Sequence, residues 1–272
     1  MSQETYMSID VIGVEARSYL HSQLTCDVTG EFDYRKGLAL EPDGKLIDIL
    51  HLFQVEGGIK VVASSDSIDA IRQRLSRFLL RTKATIGEAK SVDLYLDDTF
   101  EISLLPSVDP SVEVDDVELL ALRILNGDIA RGHDYKEPLF PNALIDIDRY
   151  VSFTKGCYVG QEYVERTHSR GASAPKSLGI FSASKRVNGP LVLGETEVGV
   201  VLSGIDLRDA AIRGSLRDAL IERYQGGSYI FFGLYGRKLG AGSQDSNDST
   251  GELAKITAND DNGEVIEVAQ LR

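Results

Sequence analysis

The eight residues 155–162, which read KGCYVGQE, constrain this chain more than any other segment. They hold Cys157, one of two cysteines among 272 residues, next to one glycine and close to a second glycine and a lysine. Residues 160–167 have the pattern of a helix, and unpaired N–H groups at a helix N-terminus favour a nearby anion. Because a thiolate also forms more readily beside positive charge, we predict that Cys157 is a reactive thiol. The alternative, a cysteine packed as a small hydrophobe, fits these polar surroundings less well.

Composition restricts the class of protein. A formal charge of −13 at pH 7 argues against a general nucleic-acid binder, because neutralising phosphates requires clustered Lys and Arg. No apolar run is long enough to span a bilayer, and residues 1–5 lack the basic and apolar stretches of a secretion signal. Two cysteines provide no disulfide framework, so we expect a cytoplasmic protein. Because no apolar run spans a bilayer, we also expect no membrane partner. Within this acidic chain, Lys155, Arg166 and Arg170 form a basic cluster suited to an anionic small ligand.

The periodicity of apolar residues in the first half predicts an α+β fold. Residues 6–14 alternate as a strand, residues 16–24 follow a helical pattern, and the sequence EPDG at 41–44 is typical of a turn between two strands. An amphipathic helix is predicted at 67–80. This order favours helices packed on one face of antiparallel sheets.

The second half of the chain has a different pattern. Residues 171–175, GASAP, mark a domain boundary. Beyond it, short strands separated by glycine-rich turns predict a small β-barrel. We therefore predict two domains, residues 1–171 and 175–272.

Metal chemistry has little support in the residue spacing. The side chains that could bind a metal through sulfur or imidazole nitrogen are Cys26, Cys157, His21, His51, His133 and His168. No CxxC or HxxxH pair occurs, so we expect neither a self-contained iron–sulfur cluster nor a structural zinc site. At most, Cys157 could supply one ligand to a cluster that is shared with a partner.

Four segments carry a resemblance to a known family. The run SFTKGCYVGQE at 152–162, continued by Arg166, Arg170 and Gly171, resembles the signature of the YgfZ family. Upstream, QLTCDV at 23–28, PDGKLID at 42–48 and the residues 123–134 resemble three further segments of that family. The resemblance covers residues 6 to about 171, and the rest of the chain more weakly.

The YgfZ proteins are folate-binding-fold proteins related to the glycine-cleavage aminomethyltransferase and linked to iron–sulfur enzyme maturation. The resemblance thus implies a GcvT-like fold of ferredoxin-like subdomains, tetrahydrofolate as cofactor and a connection to tRNA modification. Implied partners are iron–sulfur carrier proteins, a monothiol glutaredoxin or client enzymes. The catalytic candidates are Cys157, Lys155 and Asp48. The candidate folate contacts are Gln23, Asp27, Asp48, Arg123, Gly127, Gln161, Glu162, Arg166 and Arg170.

Three departures from the family pattern keep alternatives open. Leu125 stands where the family has a glutamate that anchors the pterin, Cys26 replaces a common asparagine, and the region between 96 and 117 is short, as if the second subdomain were trimmed. Loss of the glutamate predicts weaker folate binding. The leading hypothesis is an accessory factor for iron–sulfur enzymes. The alternatives are a tetrahydrofolate-dependent aminomethyl transferase, in which Asp48 is catalytic, and an interaction module that has lost folate binding.

Overall fold

A computed structural model describes residues 6–93, 95–96, 102–103, 115–136, 138–169, 174–236 and 255–271. Along these residues the strands are β1 (Tyr6–Ile12), β2 (Tyr34–Leu40), β3 (Leu46–Val55), β4 (Gly58–Ser64), β5 (Thr85–Ile86), β6 (Lys90–Ser91), β7 (Tyr95–Leu96), β8 (Ile102–Ser103), β9 (Lys176–Ala183), β10 (Asn188–Leu193), β11 (Thr196–Asp206), β12 (Tyr229–Gly236), β13 (Ile256–Asn259) and β14 (Val265–Gln270). The helices are α1 (Ala16–Gln23), α2 (Ile68–Ser76), α3 (Asp116–Asn126), α4 (Gln161–Ser169) and α5 (Gly214–Arg223), with 3₁₀ turns at Pro141–Ala143 and Ile147–Arg149.

The chain divides into two units that are interleaved in sequence. The first comprises Met1–Val114, Ile129–Pro141 and Asp146–Ala172. The second comprises Asp115–Asp128, Asn142–Ile145 and Ser173–Arg272. The two domains predicted from the sequence are continuous, whereas α3 belongs here with the C-terminal half of the chain. The trimmed region of the predicted first domain, between residues 96 and 117, falls largely outside the described residues.

An antiparallel sheet forms the centre of the first unit. Its strand order is β2-β3-β4-β1-β5, and β6 also pairs with β1. The predicted turn at 41–44 joins β2 to β3, and Gly44 adopts the left-handed φ of 86° that this turn requires. Apolar side chains of α1 and α2 pack with the sheet around Leu20, Ile71 and Leu75, all fully buried. Burial of this apolar face is what holds the two short helices against the sheet.

Helix α2 is shorter than its apolar pattern predicts. It ends at Ser76 rather than at residue 80, and the following Phe78 and Leu80 are 45% and 84% exposed. The amphipathic pattern over 67–80 also predicts that Phe78 and Leu79 face the core; this is wrong for Phe78, whereas Leu79 is partly buried against the core.

The second unit contains a closed barrel with the strand order β10-β11-β12-β9-β14-β13. Helices α3 and α5 belong to the same unit, and two interactions join them at their ends. The hydroxyl of Tyr224 donates to the Ile124 carbonyl at 3.0 Å, and Arg213 pairs with the buried Glu118. Asp115 caps α3 by accepting the amide of Glu118 at 2.8 Å. The predicted α+β fold, with helices on antiparallel sheets and a small C-terminal barrel, is confirmed.

None of the helices in the described ranges has the length and apolar character needed to cross a membrane.

Candidate functional site

The cysteine segment lies in a loop that leads directly into α4. Cys157 is exposed, whereas the next residue, Tyr158, is buried and its amide donates to the side-chain carbonyl of Gln161 at 3.3 Å. Gly160 takes a φ of 85°, which turns the chain into the helix. The helix predicted at 160–167 is observed at Gln161–Ser169. The thiol is thus exposed to solvent immediately before a buried tyrosine.

Hydrogen bonds and close packing join this loop to two of the other resemblance segments. The amide of Ser152 donates to the Thr25 carbonyl at 3.0 Å, which ties the loop to the segment after α1. A Cβ at Gly160 would lie 2.9 Å from the Glu41 carbonyl, and a Cβ at Gly44 would lie 2.5 Å from the Cβ of Tyr163 on α4. The segments around residues 25, 44 and 157 therefore meet within the first unit.

Lys155 is directed at the end of α1. Its ammonium donates to the carbonyls of His21 and Leu24, the second at 2.6 Å, and lies 5.0 Å from the centre of the Tyr158 ring. Burial lowers the pKa of Lys155 to about 8, against the opposing effect of Cys26 and Asp27. The cation thus stabilises carbonyls at a helix C-terminus, where positive charge is favourable. Its predicted role beside Cys157 stays a prediction.

The second cysteine occupies a very different environment. Cys26 is 4% exposed, and burial raises the pKa of its thiol to about 11. A Cβ at Gly37 would lie only 2.4 Å from its Sγ, so the backbone of β2 passes directly over the sulfur. This thiol is neutral near pH 7 and shielded, and so we assign it a packing role.

Asp27 lies at the surface just after Cys26. Its carboxylate accepts the amide and the hydroxyl of Thr29, at 2.9 and 2.7 Å, and these bonds lower its pKa. On its other side, Oδ1 lies 3.2 Å from Nδ1 of His21. Asp27 is therefore an ionised carboxylate placed beside an imidazole.

Asp48 is the buried carboxyl of the site. It is 2% exposed, it accepts the amide of Ile49 at 2.9 Å, and it accepts the hydroxyl of Ser67. Burial raises its pKa to about 7, although bonds from Ser67 and from the backbone of Ile49, Arg131 and Ser64 act in the opposite direction. A carboxyl with this pKa exchanges its proton near neutral pH, which is the property required of a general acid or base.

A tyrosine that the sequence interpretation did not single out interacts electrostatically with Asp48. Tyr135 is 5% exposed, and its hydroxyl has no hydrogen-bond partner among the described residues. Burial raises its pKa well above the ordinary value, and the charge of Asp48 adds to this effect. Asp134 holds the same turn by accepting the amide of Ala130 at 2.7 Å. No local sequence signal marks Tyr135, because its interaction with Asp48 joins residues that are far apart in the chain.

The chain is similar to several known proteins in sequence and in fold. No protein-family model matches the chain. An uncharacterized protein of Haemophilus influenzae is 28% identical over 199 residues, which cover 64% of this chain and 70% of that protein. A tRNA-modifying protein YgfZ of Hamiltonella defensa is 25% identical over 265 residues, covering 75% and 78%. A tRNA-modifying protein YgfZ of Vibrio atlanticus is 24% identical over 207 residues, covering 61% and 64%.

A solved structure shares the fold. The aminomethyltransferase T of the glycine cleavage system of Bartonella henselae superposes with a TM-score of 0.68 at 14% identity, covering 98% of this chain and 83% of that one. The resemblance to the YgfZ family is confirmed. The GcvT-like fold predicted from that resemblance is confirmed as well.

The remaining candidate residues of this YgfZ-like chain are found in varied settings. Gln23 is taken up by the core: its side-chain carbonyl accepts the buried Arg74 at 2.8 Å. On α4, Gln161 contacts the loop as described, whereas Glu162 and Arg166 are exposed. Arg166 lies over the Tyr163 ring at 5.9 Å. Arg170 falls outside the described residues.

Two candidates and one departure from the YgfZ pattern lie in the second unit. Arg123 and Leu125, on α3, are 6% and 7% exposed. Gly127 ends that helix with a left-handed φ of 73°. The role of Arg123 and Gly127 as folate contacts stays a prediction. Within the described ranges, no group of three or more His, Cys, Asp or Glu side chains is placed to hold a metal ion.

Proposed function

We propose that this chain is a folate-binding accessory factor in the maturation or repair of iron–sulfur enzymes, with Cys157 as its reactive group. The observation that carries the proposal is an exposed cysteine in the YgfZ motif, on the fold of an aminomethyltransferase. Thiol exchange and transient ligation both need an accessible sulfur, and Cys26 is too buried to provide it.

The clients we propose are iron–sulfur enzymes that modify tRNA. Two relatives carry the name tRNA-modifying protein YgfZ. A chain with a formal charge of −13 is poorly suited to bind RNA itself, so we propose that it acts through the enzymes. An iron–sulfur carrier or a monothiol glutaredoxin would be the partner that meets Cys157.

Tetrahydrofolate is the proposed cofactor, and the residues present fit it in part. Asp48 offers a buried carboxyl with a pKa of about 7, which can accept a hydrogen bond from an amine or ring N–H group. Leu125 offers no polar group where the family has its glutamate. A charge-assisted hydrogen bond contributes about 1.5–3 kcal/mol, so we expect affinity roughly one to two decades below that of such relatives.

Calorimetric titration with tetrahydrofolate tests the cofactor, and complementation tests the thiol. We expect Asp48→Ala to weaken binding at least about ten-fold and Cys157→Ala to leave it unchanged. In cells that lack the chain, Cys157→Ala should fail to restore the activity of an iron–sulfur tRNA-modifying enzyme. If Cys157→Ala complements fully, or if the wild type gives no heat with tetrahydrofolate, the corresponding half of the proposal is wrong.

One observation favours the aminomethyl transferase as a second candidate. The pKa of Asp48 is suited to proton transfer, and the structural relative is itself an aminomethyltransferase. Against it, aminomethyltransferases typically carry an acidic residue where this chain has Cys157. Release of formaldehyde or a methylene-folate product from an aminomethyl donor would support this candidate. Absence of any folate binding would support the interaction module instead.

A further inference from the structure

One imidazole lies between a carboxylate and the cysteine loop. Nδ1 of His21, on α1, lies 3.2 Å from Oδ1 of Asp27 in a close but poorly aligned contact. A Cβ at Gly156 would lie 3.9 Å from the opposite ring nitrogen, Nε2. Gly156 immediately precedes Cys157 in the chain. The two nitrogens of one ring therefore face a carboxylate on one side and the loop of the reactive thiol on the other.

We propose that His21, oriented by Asp27, accepts the proton of the Cys157 thiol. The inference rests on the proposed function only in that it takes Cys157 to be the reacting group. In this step the S–H bond breaks, an N–H bond forms at Nε2, and the electron pair stays on sulfur. The product is a thiolate beside an imidazolium whose Nδ1 lies 3.2 Å from the Asp27 carboxylate. A nucleophile, a base and an orienting carboxylate commonly act together in this way.

The surroundings of His21 suit it to this task. Burial and the nearby Lys155 lower its pKa, and Asp27 acts in the opposite direction. The ring is therefore neutral near pH 7 and has a free acceptor nitrogen when the proton is on Nδ1. The charged groups that face this assembly are Lys155 on the side of the loop and Arg35, which interacts with Asp27. Lys155 disfavours the imidazolium form of His21, and Asp27 favours it.

Glycine at position 156 is consistent with close approach of the ring. A Cβ at this position would meet Nε2 at 3.9 Å, an ordinary van der Waals distance, so the ring lies directly beside the loop. In the proposed step, a movement of this loop brings Sγ of the exposed Cys157 to Nε2. Contacts of this kind are often longer in the free protein than during reaction.

The test is the rate of alkylation of Cys157 by iodoacetamide between pH 5.5 and 9.5, read from the modified peptide by mass spectrometry. Iodoacetamide forms an S–C bond and releases iodide, and it reacts with the thiolate. A thiol whose profile is shifted down by about two pH units has roughly 75 times more thiolate at pH 6, and its lower nucleophilicity reduces this advantage about eight-fold. We therefore expect the wild type to react about ten-fold faster than His21→Gln at pH 6, and a few-fold slower at pH 9.

This crossing of the two profiles separates a proton acceptor from a structural residue, because general loosening of the loop would raise or lower both ends together. Asp27→Asn should lie between the wild type and His21→Gln at pH 6, since the ring loses its orienting carboxylate. The matched control is His168→Gln. His168 is on α4 and stacks on Phe153 with 3.7 Å between ring centres, and its variant should follow the wild-type profile.

Superimposable profiles for wild type and His21→Gln overturn the inference and leave the proposed function standing, provided that the wild type reacts faster than a free model thiol at pH 6. A wild type no faster than the model thiol refutes both the inference and a reactive Cys157. If a melting curve shows that His21→Gln does not fold, Asp27→Asn decides the matter: a wild-type profile for that variant overturns the inference.

Discussion

Asp48→Asn should change how the stability of the protein depends on pH. The pKa of Asp48 is about 7 in the folded protein, against an ordinary value of 3.8. A carboxyl with a raised pKa stabilises the fold in its protonated form: the contribution is complete below about pH 4 and is lost as the pH rises through 7. The two pKa values differ by about 3, and a difference of one corresponds to about 1.4 kcal/mol. The free energy of unfolding therefore changes by roughly 4 kcal/mol over the whole pH range.

Between pH 5 and pH 8 the same relation gives a loss of roughly 2–3 kcal/mol in the wild type. Asparagine does not titrate, so this part of the pH dependence should disappear in Asp48→Asn. Its amide keeps a carbonyl to accept the Ile49 amide, and its NH₂ can donate to Ser67, whose hydroxyl lies 3.1 Å from the Ser64 carbonyl. We expect the variant to fold and to be the flatter of the two in its stability profile.

The measurement is urea denaturation followed by circular dichroism at pH 5, 6, 7 and 8. Between pH 5 and pH 8, the free energy of unfolding of the wild type should fall by roughly 2–3 kcal/mol relative to that of Asp48→Asn. Asp43→Asn, in the exposed turn between β2 and β3, is the control and should leave the slope nearly unchanged. Parallel profiles for wild type and Asp48→Asn would show that burial does not perturb this carboxyl, and its assignment as a proton-transfer group would lose its physical basis.

Three further substitutions test the packing around the two units. Gly37→Ala should cost about 1–3 kcal/mol, because its Cβ would clash with the Cys26 sulfur, and a second change of Cys26→Ala should recover most of this in a denaturation assay. Arg213→Ala should cost about 2–4 kcal/mol, measured the same way, since it leaves Glu118 buried without its cation; a neutral result would mean that water already solvates that carboxylate. Tyr135→Phe should leave the melting temperature unchanged or higher, because it removes a buried hydroxyl without a partner, whereas a clear loss would reveal a hidden hydrogen bond.

Local signals in the sequence were sufficient for most of the first unit's elements. Alternation predicted β1, and the turn residues predicted the hairpin at Gly44, because both depend on backbone chemistry within a few residues. The association of α3 with the C-terminal half was not predictable in this way. It depends on contacts such as Tyr224 to Ile124, which are 100 residues apart in sequence.

The candidate site shows the same division between local and long-range information. Exposure of Cys157 and the helix after it agree with the expectation from its glycine-flanked motif. The target of Lys155 did not follow from proximity in sequence: its ammonium contacts carbonyls of residues 21 and 24. The burial of Asp48, its bond to Ser67 and its interaction with Tyr135 likewise arise from tertiary packing. The residues that set the environments of Lys155 and Asp48 therefore lie outside the sequence segment in which each of the two occurs.

The contrast between the two cysteines limits the chemistry open to this chain. Both are free, and Cys26 is enclosed by β2 with a pKa of about 11, whereas Cys157 is exposed. A disulfide between them would require the core around Cys26 to open, because thiol exchange needs an accessible thiolate. Redox exchange at Cys157 would therefore pass through a mixed disulfide with a partner's thiol, and ligation would supply a single sulfur to a cluster completed by others. Either route makes the chemistry intermolecular. Such chemistry suits an accessory factor, whereas a self-contained oxidoreductase would not require a partner's sulfur.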